Sequence, residues 1–191
     1  MFPINADAPR LSDPSKRSAA GFYTPYFQTF TFDGLFRAGR ANFILAQYRQ
    51  AWGWALTQAS TWLEVFDPRW EVVHSWGGCP TWQLSQYVLG LSPRLDVGAR
   101  HFELAVHAGS SLHDAAGVVL CRDGRDDVHV SWVRVATATL EEDDIAISDA
   151  ADSISYTLTA ETPVFVLGWP TEPTAWTRLS GSCTVTLVSP T

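Results

Sequence analysis

Hydrophobic positions along this chain change period near its middle. Thr24-Pro25 reads as a helix start, a hydroxyl at the cap followed by a proline whose missing N–H costs nothing in the first turn, and Gly39 supplies the stop. Between them Tyr26, Phe27, Phe30, Phe32, Leu35 and Phe36 cover most of the helix circumference, which predicts burial on nearly all sides. A second helix, Ala41–Gln58, sets Ile44, Tyr48, Ala51, Trp52 and Ala55 at helical spacing, and the short Gly39-Arg40 link makes the two an antiparallel hairpin. A third runs from Pro80 to Leu89 and closes at Gly90, with Pro93 beyond. After that the period becomes two. Ser153–Thr159 alternates Ile154, Tyr156 and Leu158 with hydroxyls, and Val128, Val130, Trp132 and Cys183, Val185, Leu187 repeat the pattern. With His101–Val106, Val118–Cys121 and Val164–Leu167 there are at least six short strands separated by turns, the signature of an antiparallel β-sandwich.

Composition sharpens the division. Of nine tryptophans, Trp52, Trp54, Trp62, Trp70, Trp76 and Trp82 precede residue 90, and the whole of the net charge of −7 is carried after it. Two regimes imply two domains, 1–94 and 95–191. The longest apolar runs, such as Val164–Gly168, fall far short of the roughly 18 residues of a membrane span. Only 13 basic residues argue against a nucleic-acid partner. Cys79, Cys121 and Cys183 are odd in number and widely spaced, so they read as buried thiols. The first 17 residues lack the apolar core of a signal peptide, which makes cytoplasmic the default location.

Chemistry concentrates in Ser60–Pro80, a connection longer than compact domains normally use without a functional reason. It holds Glu64, Asp67, Glu71 and His74 among Trp62, Phe66, Trp70 and Trp76. Sugar rings stack their apolar faces on aromatics and offer hydroxyls to carboxylates and imidazole, so the mixture suits a saccharide; the alternative is that the tryptophans are core and the acids solubilise a loop. Elsewhere the signals are bland. Glu141-Glu142-Asp143-Asp144 lacks the alternating spacing of a cation loop and reads as a hairpin turn. His101, His107, His113 and His129 form no zinc pattern, and Gly109-Ser110-Ser111 is a turn. No cofactor or metal is expected.

Six ordered motifs carry a resemblance. Thr24-Pro25-Tyr26-Phe27, Leu35-Phe36-Arg37-Ala38-Gly39-Arg40, Trp52-Gly53-Trp54-Ala55-Leu56, Ser60-Thr61-Trp62-Leu63-Glu64-Val65-Phe66-Asp67-Pro68, His74-Ser75-Trp76 with Pro80, and Tyr87-Val88-Leu89-Gly90-Leu91 together resemble the C-terminal part of the inverting α-L-rhamnosidases. The resemblance implies the last helices of an (α/α)₆ six-hairpin barrel, including an active-site loop, followed by a C-terminal β-sandwich. It implies Glu64 as the general base, His74 as a sugar contact, and Trp76 and Trp62 as stacking surfaces, core packing being the alternative for each tryptophan. Where the family usually has tryptophan immediately before the glutamate, Leu63 stands here and Trp62 comes one position early.

Inverting hydrolysis needs two carboxyl groups about 6.5–9.5 Å apart, one to protonate the leaving oxygen and one to activate water on the opposite face. The family's acid lies in an earlier hairpin, and neither Asp7 nor Asp13 matches its motif. Twelve barrel helices also need roughly 190–200 residues by themselves. The expectation is a fragment, inactive alone, whose partners are a rhamnose-containing glycoside and the missing N-terminal barrel segment. The rivals are a non-catalytic carbohydrate-binding module and a structural remnant.

Overall fold

The computed structural model describes residues 24–66, 71–135, 138–141, 144–147, 153–171 and 173–188. Asp7, Asp13, Asp67, Pro68 and Trp70 lie outside them. The chain forms two compact units, Met1–Leu84 and Ser85–Thr191.

The first unit is helical. In α1 (Pro25–Arg37) the Thr24 hydroxyl accepts a hydrogen bond from Phe27 N at 3.2 Å, and the helix ends at Gly39, whose φ of 71° is open to glycine without strain. The helix from residue 41 to 58 forms in three pieces: α2 (Ala41–Gln47), a π-helical turn (Tyr48–Trp52) and α3 (Gly53–Gln58). Across the Gly39 turn Phe32 meets both Tyr48 and Trp52, at ring separations of 5.5 and 5.7 Å, and Trp52 stands edge-on to Phe66 at 4.9 Å. This aromatic cluster is the unit's core. Within it Tyr48 Oη donates to Gln83 Oε1, and Gln83 Nε2 donates to Thr29 O at 2.9 Å. The third helix consists of α4 (Cys79–Gln83) continued by a π turn (Leu84–Val88).

The expectation that α1 is buried on nearly all sides is corrected. Pro25, Gln28, Phe32 and Phe36 form one buried stripe, while Phe27 and Phe30 are 62% and 59% exposed. Among the described residues, this stripe meets the rings of Tyr48 and Trp52 through Phe32.

The second unit is built around one long strand. The strands are β1 (Leu91–Pro93), β2 (His101–Leu104), β3 (Asp114–Val119), β4 (Val128–Val135), β5 (Ala138–Glu141), β6 (Asp144–Ile147), β7 (Ser153–Leu167) and β8 (Thr177–Val188). β8 runs antiparallel along one edge of β7; along the other edge β4 pairs with the first half, antiparallel, and β2 with the end, parallel. β3 and β1 extend the sheet beyond β4 and β2, and β5 pairs with β6 as a separate hairpin. Of the acidic run, Glu141 pairs with Asp144 in that hairpin, and Glu142 and Asp143 lie outside the described residues. Alternation decides the core: Val130 lies opposite Leu158 and Trp132 opposite Tyr156, all four buried. Trp132 Nε1 donates to Val88 O at 2.8 Å.

The fold expected from the resemblance is overturned. The described helices are few and short, not the hairpins of an (α/α)₆ barrel, and apart from the β5–β6 hairpin the strands make one mostly antiparallel, nearly closed barrel-like sheet instead of a β-sandwich. The physical reason lies in β7. Ser153–Thr159 and Val164–Leu167, which alternation alone separates, are one strand with a register irregularity between Ala160 and Val164, where Pro163 has no N–H to give to a ladder. A strand long enough to pair with β4 and then with β2 joins in a single sheet what two shorter strands would have divided between two. Of the three thiols, Cys79 and Cys121 are buried as expected and Cys183 is partly exposed.

Candidate functional site

The site lies within the first unit, on the segments either side of residues 67–70. His74 N donates to Trp62 O at 2.8 Å and Glu64 N to Glu71 O at 3.0 Å, so residues 62–64 and 71–74 run side by side. Leu63 and Val65 are buried, and Glu64 between them is half-buried. His74 Nδ1 lies 3.3 Å from Glu71 Oε2, and one ligating atom from each of Glu64, Glu71 and His74 falls within 4.8 Å of the others.

A 3₁₀ turn, Ser75–Gly77, follows at once and sets the aromatic wall. Trp76 is 63% exposed, its ring 5.8 Å from the His74 imidazole and 4.9 Å from Tyr26 in the first turn of α1. The turn is anchored from below, because Trp52 Nε1 donates to Gly77 O at 2.8 Å. Gly77 is required by close packing: a Cβ there would stand 2.6 Å from Leu63 O. Beside Trp76 opens a cavity of about 240 Å³ lined by Tyr26, Thr29, Ser75, Trp76, Gly78, Cys79 and Trp82. That is smaller than the roughly 300–1,000 Å³ pockets that enclose drug-sized ligands, and it is the scale of a single ring. The Cys79 thiol at its floor is pushed up to about 11 by burial, so it lines the cavity as an uncharged group.

The structure therefore brings Glu64, His74 and Trp76 together. Trp62 is placed differently: it is half-buried with its indole against Gly78, where a Cβ would lie 2.8 Å from Nε1. It backs the glycine turn. Glu71 joins the cluster; the sequence reading counted it among the segment's carboxylates but gave it no individual role, and its three-residue spacing from His74 was the available signal. Tyr26 and Trp82 were also missed, because a helix reading placed the one in a buried face and the other in an ordinary helix.

As they stand, Glu64 and Glu71 approach within 4.8 Å, closer than the about 6.5–9.5 Å separation that leaves room for water in an inverting pair. Among the described residues of this unit the remaining carboxylate is Asp33, which is paired with Arg37 one turn along α1 at 3.1 Å. No helix among the described residues is long and apolar enough to cross a membrane. Comparison with protein-family models, with curated proteins and with solved structures finds no match in any of the three.

Proposed function

We propose that this chain holds the non-reducing-end sugar of an α-L-rhamnoside and supplies the water-activating base of an inverting glycoside hydrolase, with the acid coming from a segment outside this chain. The observation that carries the reading is the exposed Trp76–Tyr26 wall standing beside Glu64 and His74. In this reading the sugar's apolar face lies on Trp76 and His74 bonds a hydroxyl. Glu64 takes a proton from water as the water oxygen attacks the anomeric carbon, and the bond to the leaving oxygen breaks as the acid protonates it. Product then emerges as β-L-rhamnose.

With one of two cooperating groups missing, the chain alone should bind sugar and turn over slowly, since general acid or base catalysis typically contributes 10²–10⁴-fold. Titration with L-rhamnose, followed by tryptophan fluorescence, should give saturable binding that Trp76→Ala abolishes and Glu64→Gln leaves nearly intact. With the acid-bearing segment supplied, Glu64→Gln should lower kcat and spare KM, because a base acts mainly in the transition state, whereas His74→Ala should raise KM. Retained anomeric configuration, or undiminished kcat in Glu64→Gln, would remove Glu64 from this role. A second reading, a carbohydrate-binding module without chemistry, is favoured by the lack of a second suitably spaced carboxylate among the described residues of the unit. It requires binding with no gain of turnover when the missing segment is added.

A further inference from the structure

We infer that Glu64, Glu71 and His74 form a binding site for a divalent transition-metal ion of the zinc class. The inference rests on the donor set and does not need the glycosidase reading. Two carboxylates and one imidazole are a ligand combination such ions use, and three protein ligands leave a further position for water. The imidazole selects against calcium and magnesium, which take shells of oxygen.

Geometry supports the set. With metal–ligand bonds of about 2.1 Å, donors in a tetrahedral shell stand roughly 3.4 Å apart. His74 Nδ1 and Glu71 Oε2 already lie 3.3 Å apart, so an ion can take the place of the hydrogen between them. The Glu64 oxygen, within 4.8 Å of both, needs a shift of about an ångström that a half-exposed side chain makes by rotation. The backbone does not have to move. The paired segments hold Trp62 O to His74 N and Glu71 O to Glu64 N, and Leu63 and Val65 pin one of them to the core. Among the described residues this is the one group of three or more such side chains with ligating atoms this close.

Occupancy has a consequence for the same site. A Glu64 oxygen bound to a cation has lost the lone pair with which it would take a proton from water, and His74 bound through a ring nitrogen is fixed in orientation. Metal would therefore oppose the base role of Glu64 while leaving the Trp76–Tyr26 wall free to hold a sugar.

The probe is Co²⁺ titrated into the purified full chain at neutral pH, followed by its visible ligand-field absorption, with Zn²⁺ as competitor. The expected result is one equivalent bound, displaced by one equivalent of Zn²⁺. Glu71→Gln and His74→Ala should each weaken binding at least 10-fold, whereas Glu161→Gln should leave it unchanged. Glu71→Gln is isosteric and exposed, so it keeps the fold against which His74→Ala is checked by circular dichroism. No absorption at millimolar Co²⁺, or binding unaltered in both Glu71→Gln and His74→Ala, would overturn the inference. The two readings of the site part cleanly: Co²⁺ bound with no affinity for rhamnose removes the sugar reading alone, and rhamnose bound with no Co²⁺ removes the metal site alone.

Discussion

The two units differ in how much aromatic surface they leave uncovered. In the sheet unit Phe102, Trp132, Tyr156 and Trp169 are buried and Phe165 and Trp176 half-buried; the helical unit buries Phe32, Phe36, Tyr48, Trp52 and Phe66 but leaves Tyr26, Phe27, Phe30, Trp76 and Trp82 at the surface. The first arrangement follows from a period of two, which sends every other side chain of β4 and β7 to one face and leaves Ser155, Thr157 and Thr159 on the other. The second has no such local rule. A helix buries only the stripe that meets a neighbour, and on α1 that stripe holds Phe32, which meets Tyr48 and Trp52, and Phe36. Surplus aromatic surface beside carboxylates and an imidazole is available for a ligand, and it lies in the unit whose core is smaller.

The largest effect that separates the units is expected from Trp132→Ala. It removes a buried indole and leaves Val88 O without its donor, at a cost of about 3–5 kcal/mol; urea unfolding followed by hydrogen exchange in β4 and β7 should show it, while Phe27→Ser in the other unit stays within about 0.5 kcal/mol of the parent. A comparable loss in both would mean that Phe27 is covered.

Gly77→Ala comes next, at about 1–3 kcal/mol for forcing a methyl against Leu63 O. Because the same turn carries Trp76, rhamnose affinity should fall with it. Stability lost with affinity unchanged would separate the turn from the sugar wall.

A third effect depends on pH and belongs to the sheet unit alone. Asp126 accepts from Thr162 N at 2.9 Å and pairs with Arg100 at 2.7 Å, and these contacts hold its carboxyl below the ordinary 3.8. A carboxyl that ionises more readily when folded stabilises the fold while ionised; the contribution is present above the ordinary value and is lost as pH falls through the lower, folded one. Asp126→Asn should lower stability at neutral pH and flatten the acid limb of the sheet unit's unfolding curve, with no change in the helical unit's. The smallest effect has the opposite sign. Tyr156 Oη is buried with no hydrogen-bond partner among the described residues, so Tyr156→Phe should raise stability by up to about 1 kcal/mol in chemical denaturation.

Much of this was legible residue by residue. Thr24-Pro25 and Gly39 bound α1 as read, because capping and a left-handed stop are local demands. The inward alternation of β4 and of the first half of β7 followed from their own sequence. In the 60–80 segment the residue types announced a polar–aromatic site, and Glu64, His74 and Trp76 do converge there. Trp62 was harder, since an indole that backs a glycine turn and an indole that faces a ligand have the same sequence. Glu71 was named in that mixture, but its closeness to Glu64 was not legible, because it comes from backbone pairing between residues distant in the sequence.

The sequence by itself determined where elements start, which strand faces are apolar and which donor groups crowd one connection, since each depends on neighbours a few residues away. Tertiary structure alone decided that two strand segments are one β7, that β2 joins its end in parallel, and that only one stripe of α1 is covered. Those outcomes turn on which surfaces, distant in the chain, compete for the same apolar cover and the same backbone hydrogen bonds, and no local pattern records the winner.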